Sequence, residues 1–272
     1  MAGFRVAAVQ MVSAPEVAPN LEAAARLIAE AAARGANLVA LPEYFCILGR
    51  HETDKVAARE APGAGPIQAF LAEAARRHGV WIVGGTVPVA TANEKRVRSA
   101  CLLHAPDGTV AARYDKMHLF RLDLPGNSFD EARTLEPGER PVAVDTPLGR
   151  LGLSVCYDVR FPELYRAPGP VDAWFVPSAF TAVTGAAHWE TLLRARAIEN
   201  QCYVVAPAQG GLHPNGRRTH GHTMVVDPWG DVLACQPEGE GVVVADVDAS
   251  RLAEVRQSLP ALQHVKLNAT PT

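Results

Sequence analysis

Arg150-Leu-Gly-Leu-Ser-Val-Cys156, followed by Tyr157-Asp-Val-Arg-Phe161 and Pro162, is the stretch that decides the fold. An apolar strand pattern runs into a corner, then into a short helical segment that opens on a proline, where a missing N–H costs nothing. The strand is predicted to close at Cys156, leaving the thiol exposed at the sheet's edge and near the positive end of a helix. Both features favour the thiolate, the nucleophilic form.

Working outward, strand patterns over residues 4–9, 37–41, 81–87, 98–104 and 109–114 alternate with helix patterns over 20–34 and 67–78. The two helices are stopped by Gly35 and Gly79. That alternation predicts an α/β layer protein. The second half repeats the grammar. Arg150–Cys156 mirrors Arg5–Gln10, Trp174–Pro177 mirrors Val39–Pro42, Tyr203–Pro207 mirrors Trp81–Gly85, and Thr223–Gly230 mirrors Ala100–Gly108. Tyr203–Pro207 follows Trp81–Gly85 by 122 residues, as Gly230 follows Gly108; the first two pairs have larger offsets, as shorter loops in the second half require. Two similar β-rich halves predict two sheets packed face to face with helices outside, a four-layer αββα sandwich in a single domain over residues 1–272. Met117–Arg140, with its glycines, prolines and charges, reads as a functional loop.

A formal charge of −3 supplies no field for nucleic acid or anionic lipid. The basic pairs Arg76-Arg77 and Arg217-Arg218 read as solvated helix or loop charges. No apolar run approaches the roughly 18–20 residues of a membrane span. Met1-Ala-Gly-Phe-Arg-Val6 enters a strand pattern with no signal-peptide core, so a cytoplasmic location is expected. The five cysteines (46, 101, 156, 202, 235) are odd in number and widely spaced, which argues against a disulfide framework. Only Cys156 has a reactive setting; Cys46 packs in the core or lines the same cleft.

In layered α/β proteins, ligands collect beyond the carboxyl ends of the strands. Glu43, after Leu38-Val-Ala-Leu-Pro42, and Lys116, in Arg113-Tyr-Asp-Lys-Met-His118, both lie at such ends, as does Cys156. Alone, each has a blander reading: an exposed cap, a solvated lysine, a core thiol. Together they make a base, a cation and a nucleophile, the set that acyl transfer through a thioester needs. His213, His220 and His222 sit in a Gly/Arg-rich loop without supporting carboxylate or thiol spacing, so no metal is expected. Gly152-Leu-Ser-Val-Cys156 imitates the serine nucleophile elbow, with the thiol in place of the last glycine.

The segments LVALPE (38–43), RYDKMHLF (113–120) and GLSVCYDVRFPELYR (152–166) resemble the three signature segments of the nitrilase superfamily of carbon–nitrogen hydrolases. The resemblance runs from Arg5 to His264. It implies the αββα sandwich, a homodimer, no cofactor, a small-molecule substrate, and a triad of Glu43 as general base, Lys116 as oxyanion stabiliser and Cys156 as nucleophile. A second glutamate of the family is matched by Glu131 in Phe129-Asp-Glu131, with Asp130 the competing candidate; its implied role is to orient Lys116 and the substrate amide. Residues 177–190, 192–206 and 221–230 resemble the branch of amidases acting on deaminated glutathione. The ω-amidases of 2-oxoglutaramate or 2-oxosuccinamate and the N-carbamoyl amide hydrolases are the alternatives. An idle interaction protein on the same scaffold is the alternative of another class. Where the family usually continues a helix after Tyr165-Arg166, Ala167-Pro-Gly-Pro170 ends it here.

For the substrate, Tyr157 and Arg160 follow the nucleophile, and Phe180 and Thr184 lie in the loop after Pro177. Arg160 serves either as a fork for a substrate carboxylate or as half of a structural ion pair. His188-Trp189, at the start of the next helix, contacts substrate or simply packs.

Overall fold

The structure is a computed structural model that describes residues 3–124 and 127–267. In the first half, β1 (Phe4–Gln10), β2 (Leu38–Ala40), β3 (Trp81–Val83), β4 (Val87–Ala90), β5 (Val97–His104) and β6 (Val110–Asp115) build one sheet. Its helices are α1 (Val17–Ala33), the short α2 (Asp54–Ala57) and α3 (Pro66–His78). A hairpin of β7 (Arg121–Leu124) and β8 (Asn127–Asp130) follows, then a 3₁₀ turn over Glu131–Arg133. The segment expected to be a loop therefore contains a paired hairpin; Pro125 and Gly126 lie outside the described residues.

The second sheet takes β9 (Val142–Thr146), β10 (Gly149–Leu153), β11 (Ala173–Phe175) and β12 (Tyr203–Ala206). After a small hairpin of β13 (Gly210–Leu212) and β14 (Arg218–His220), β15 (Thr223–Val226) and β16 (Val232–Gln236) complete it. β17 (Gly241–Val247) crosses back to pair antiparallel with β1. The second-half helices are α4 (Pro162–Arg166), α5 (Ala182–Asn200) and α6 (Ala249–Ser258). α4 is one short turn of helix, ended where Ala167-Pro-Gly-Pro170 leaves the pattern.

The predicted internal repeat holds down to register. β1, β2 and β3 are parallel neighbours and β5 joins antiparallel, and β10, β11, β12 and β15 do the same. Ile82 faces His104 in the first sheet, and the residues 122 further on, Val204 and Val226, face each other in the second. The bulge between Leu103 and His104 recurs between Val225 and Val226.

One face of each sheet is apolar, and those faces meet. Val6, Ala8, Leu38 and Ala40 of the first share a buried cluster with Leu151, Leu153, Phe175, Val205 and Val225 of the second. The outer face of the first sheet packs on Ala24, Leu27, Ile28 and Ala31 of α1 and on Ile67 and Leu71 of α3. Trp189, Leu193 and Ala197 of α5 cover the second. The αββα architecture follows, and it brings the carboxyl ends of β2, β6 and β10 to one mouth.

Candidate active site

Glu43 leaves β2 through a turn in which the Phe45 amide donates to the Pro42 carbonyl (3.2 Å). Gly85 makes room for that turn: its φ is +53°, and a Cβ there would fall 2.1 Å from the Pro42 oxygen. Gln209 pins the turn from the other half, donating to the Glu43 carbonyl (3.0 Å) and to Ser13 Oγ (2.8 Å). Lys116 follows β6. Its amide donates to Ser99 O (3.0 Å) and its carbonyl accepts from the Gly138 amide (2.8 Å).

The side chains converge. Lys116 Nζ donates to Glu43 Oε1 (2.8 Å) and to Glu131 Oε1 and Oε2 (2.9 and 2.8 Å). Glu131 is further held by the Tyr44 hydroxyl (2.8 Å) and the Phe120 amide (2.7 Å). The competing candidate, Asp130, instead caps the 3₁₀ turn by accepting from the Ala132 amide (3.1 Å). Cys156 completes the group: its buried thiol lines the same cleft as Glu43, Glu131 and Ala179.

The expected strand-end thiol needs correction on three points. β10 ends at Leu153, so Cys156 stands in the turn beyond it, with its amide tied to Pro177 O (2.9 Å) and φ at +51°. A left-handed non-glycine residue costs about 1–2 kcal/mol, a strain of the kind held at nucleophile elbows. The helix that follows is a single 3₁₀ turn over Cys156–Arg160, too short for an appreciable dipole. Cys156 is also buried, not exposed. Burial and the nearby Glu43 charge push its thiol well above the ordinary 9.0, with Lys116 offsetting only part. The resting thiol therefore keeps its proton and depends on a neighbour to remove it.

The carboxyl that shares its cleft is shifted upward as well. Burial raises the Glu43 carboxyl above its ordinary 4.5, against the pull of Lys116. Burial acts the same way on Glu131, but the charge and hydrogen bonds of Lys116 and the Phe120 amide outweigh it and leave Glu131 below the ordinary value. Burial alone would neutralise Lys116; Glu131 and Glu43 keep it charged and raise it well above 10.5. Two carboxylates of unlike basicity around one ammonium and one thiol can move a proton and hold an anion at the same point.

A cleft of ≈ 530 Å³, counting its open mouth, lies over Glu43, Glu131 and Cys156. Tyr157, Arg160, Phe180 and Thr184 all line it, with Thr184 in the first turn of α5 rather than in the loop expected for it. Arg160 lies over the rings of Tyr157 and Phe180 (5.7 and 5.4 Å) and contacts His188 Nδ1 (3.2 Å). It pairs with no carboxylate among the described residues, so the structural ion pair considered for it is absent there. Trp189 packs on Phe180 and donates to His222 O (2.9 Å), so of His188-Trp189 only the histidine approaches the cleft, through Arg160.

Tyr44, Phe120, Phe129 and Arg217 also line the cleft and were not anticipated. Arg217 corrects the reading of Arg217-Arg218 as solvated charges. The β13–β14 hairpin brings it over the Phe129 ring (5.2 Å) and beside Glu52 (3.8 Å). No signal in the sequence marks it, because the hairpin's direction is set by contacts between the two halves: His213 Nδ1 donates to Ser13 O, and Asn215 donates to Leu48 and Gly49 carbonyls. Cys46 packs in the core with its thiol on Thr86 O, away from the cleft lining. Among the described residues no group of side chains has the makings of a metal site, and His220 and His222 stack on each other.

Comparison with known proteins agrees with this geometry. Residues 5–257 match the family model described as carbon-nitrogen hydrolase. A deaminated glutathione amidase of Synechocystis sp. is 47% identical over 97% of this chain and 98% of its own length. The crystal structure of the Caenorhabditis elegans NitFhit protein superposes with a TM-score of 0.87 at 38% identity, over 98% of this chain and 66% of that one. An amidase variant from Nesterenkonia sp. AN1, carrying acrylamide added to its active-site cysteine, superposes at 0.78 with 28% identity, over 94% and 98% of the two chains. The chain belongs to the carbon–nitrogen hydrolase family and is a hydrolase of carbon–nitrogen bonds other than peptide bonds, which sets aside the idle-scaffold reading.

Proposed function

We propose that this carbon–nitrogen hydrolase cleaves the amide of deaminated glutathione, the 2-oxo acid left when glutathione loses its amino group. The products are 2-oxoglutarate and cysteinylglycine. The observation that carries the proposal is the buried Cys156 thiol sharing one cleft with Glu43, whose carboxyl pairs with the buried Lys116 ammonium. Glu43 takes the thiol proton as Sγ attacks the amide carbonyl. The oxyanion is stabilised by Lys116 and by backbone N–H groups after Cys156, at about 3 kcal/mol per donor. Glu43 returns the proton to the departing amine nitrogen, leaving a thioester. Water then gives a proton to Glu43, attacks the thioester, and releases the acid as the sulfur regains its proton. Glu131 keeps Lys116 charged and aimed.

Substrate choice rests on the cleft and on the relatives. Deaminated glutathione carries two carboxylates, and two guanidinium groups, Arg160 and Arg217, line the cleft. Charge-assisted forks of this type suit carboxylates, while Tyr157, Phe180 and Thr184 wall the chain between them. An ω-amidase substrate such as 2-oxoglutaramate has only one carboxylate. Comparing kcat/KM for the two amides, with Cys156→Ala as control, tests the reading. A preference for deaminated glutathione is expected; a preference for 2-oxoglutaramate overturns the substrate assignment.

We take the whole chain as one carbon–nitrogen hydrolase domain acting as a homodimer in the cytoplasm. Exposed Ile198 on α5 and exposed Trp229, whose neighbour Gly230 lies against Ile198, offer an apolar contact surface. Five free thiols suit a reducing compartment. Sedimentation velocity checks the dimer.

A further inference from the structure

Asp158, two residues past the nucleophile, is completely buried, yet the chemistry just proposed does not use it. A buried carboxylate is costly unless its lone pairs are filled, and here four donors fill them. Oδ2 accepts from the Tyr114 hydroxyl (2.7 Å) and the Val155 amide (2.8 Å). Oδ1 accepts from the amide and ring Nδ1 of His118 (3.0 and 2.7 Å). Only the Val155 bond is the local cap that a tight turn calls for. The other three reach back more than 39 residues, to the segment that carries Lys116.

The bonds flank the reacting residues. The Tyr114 hydroxyl, while donating to Asp158, accepts from the Met117 amide (3.2 Å). Met117 and His118 directly follow Lys116, and Val155 directly precedes Cys156. One chain of hydrogen bonds thus runs from the backbone beside the ammonium, through Tyr114 and Asp158, to the backbone beside the sulfur. His118 is braced on its other side by the Phe161 ring, stacked at 3.8 Å. Lys116 leaves the first sheet and Cys156 the second, so without such a tie their separation would depend on how the sheets settle against each other.

We infer that Tyr114 and Asp158 form a clamp that sets the spacing between Lys116 and Cys156, making both positioning residues for amide hydrolysis. The inference rests on the roles proposed above for Lys116 and Cys156. Burial and the neighbouring Asp158 hold the Tyr114 hydroxyl protonated, so it donates at all working pH values. A displacement of about 1 Å between catalytic groups costs on the order of 10²-fold in rate.

Tyr114→Phe keeps the ring and deletes the bridge. Its kcat is expected to fall about 10- to 100-fold with KM nearly unchanged, and alkylation of Cys156 by iodoacetamide should slow because Lys116 no longer sits beside the sulfur. A purely structural role would lower Tm while leaving kcat per folded enzyme unchanged, and would not slow alkylation; that outcome overturns the clamp. Asp158→Asn should lower kcat further at similar KM, since an amide cannot accept on both sides; if it does not fold, Tyr114→Phe decides alone. Cys156→Ala separates the two levels of the account. Residual turnover in Cys156→Ala sinks the nucleophile assignment, whereas an inactive Cys156→Ala beside a Tyr114→Phe of normal kcat sinks the clamp only.

Discussion

The two halves repeat one backbone, so each residue of the catalytic corner has a counterpart in the other half. Ala8 and Leu153 occupy equivalent register positions, which puts Met11 where Cys156 would be. Ala40 and Phe175 correspond likewise, which matches Glu43 with Ser178. The offset of the repeated bulge carries Lys116 onto Glu238. The counterparts solve the same backbone problem with ordinary means. Met11 is buried and apolar, Ser178 is buried with its hydroxyl donating to Val176 O (2.8 Å), and Glu238 is exposed and paired with Arg218. The scaffold can end its strands without burying any charge. Buried Glu43 and Lys116 and the left-handed Cys156 are thus costs that the repeated backbone does not itself require.

Substitution can test that contrast from its strongest side. Cys156→Ala and Glu43→Gln should each lower kcat on the order of 10⁴-fold while the circular dichroism spectrum and cooperative unfolding persist, as the uncharged second corner implies. Loss of folding in both would show that the charges are structural after all. The reverse graft, Ser178→Glu, buries a carboxylate with no ammonium opposite it. A loss of about 3–5 kcal/mol in denaturant unfolding is expected, and a loss under about 1 kcal/mol would mean the second corner tolerates charge.

The two glutamates provide a finer contrast through pH. Glu43 is raised in the fold, so its share of stability is full below the unfolded carboxyl value and is lost as pH rises through its folded value. Glu131 is lowered, so its share is present above the unfolded value and lost as pH falls through its folded value. At pH 7, Glu43→Gln should match or exceed the parent in Tm, and Glu131→Gln should fall below it. The acid limb of kcat/KM, reporting Glu43, should have its midpoint above 4.5. A midpoint at or below that value would remove Glu43 as the base. The smallest effect expected is that of Arg217→Met, about tenfold on deaminated glutathione, with 2-oxoglutaramate little changed. Equal loss on both substrates would deny Arg217 a role in choosing between them.

Much of this was legible before any coordinates. Alternating patterns and the 122-residue offset predicted the layers and the repeat, because strand and helix periods are local properties. Glu43, Lys116, Glu131 and Cys156 were readable because each follows a strand end within a recognisable motif. The state of Cys156 was not. A place at a corner suggests exposure, but the residue is tied by its amide to Pro177 O at the neighbouring strand end and its side chain is buried, which reverses the expected thiolate. Arg217 was missed because the turn of a hairpin carries no sign of what it will lean over. Nothing in the sequence marks the part Asp158 plays, since three of its four donors come from a distant segment.

The central claim is that an acyl group passes through the Cys156 sulfur. Rapid acid quench of the enzyme turning over deaminated glutathione, followed by peptide mass spectrometry, tests it most directly. A 2-oxoglutaryl thioester on the peptide bearing Cys156, absent from Cys156→Ala, is the predicted result. Turnover with no acyl adduct in the quenched enzyme, or an adduct on Cys46 or any other residue, would contradict the account.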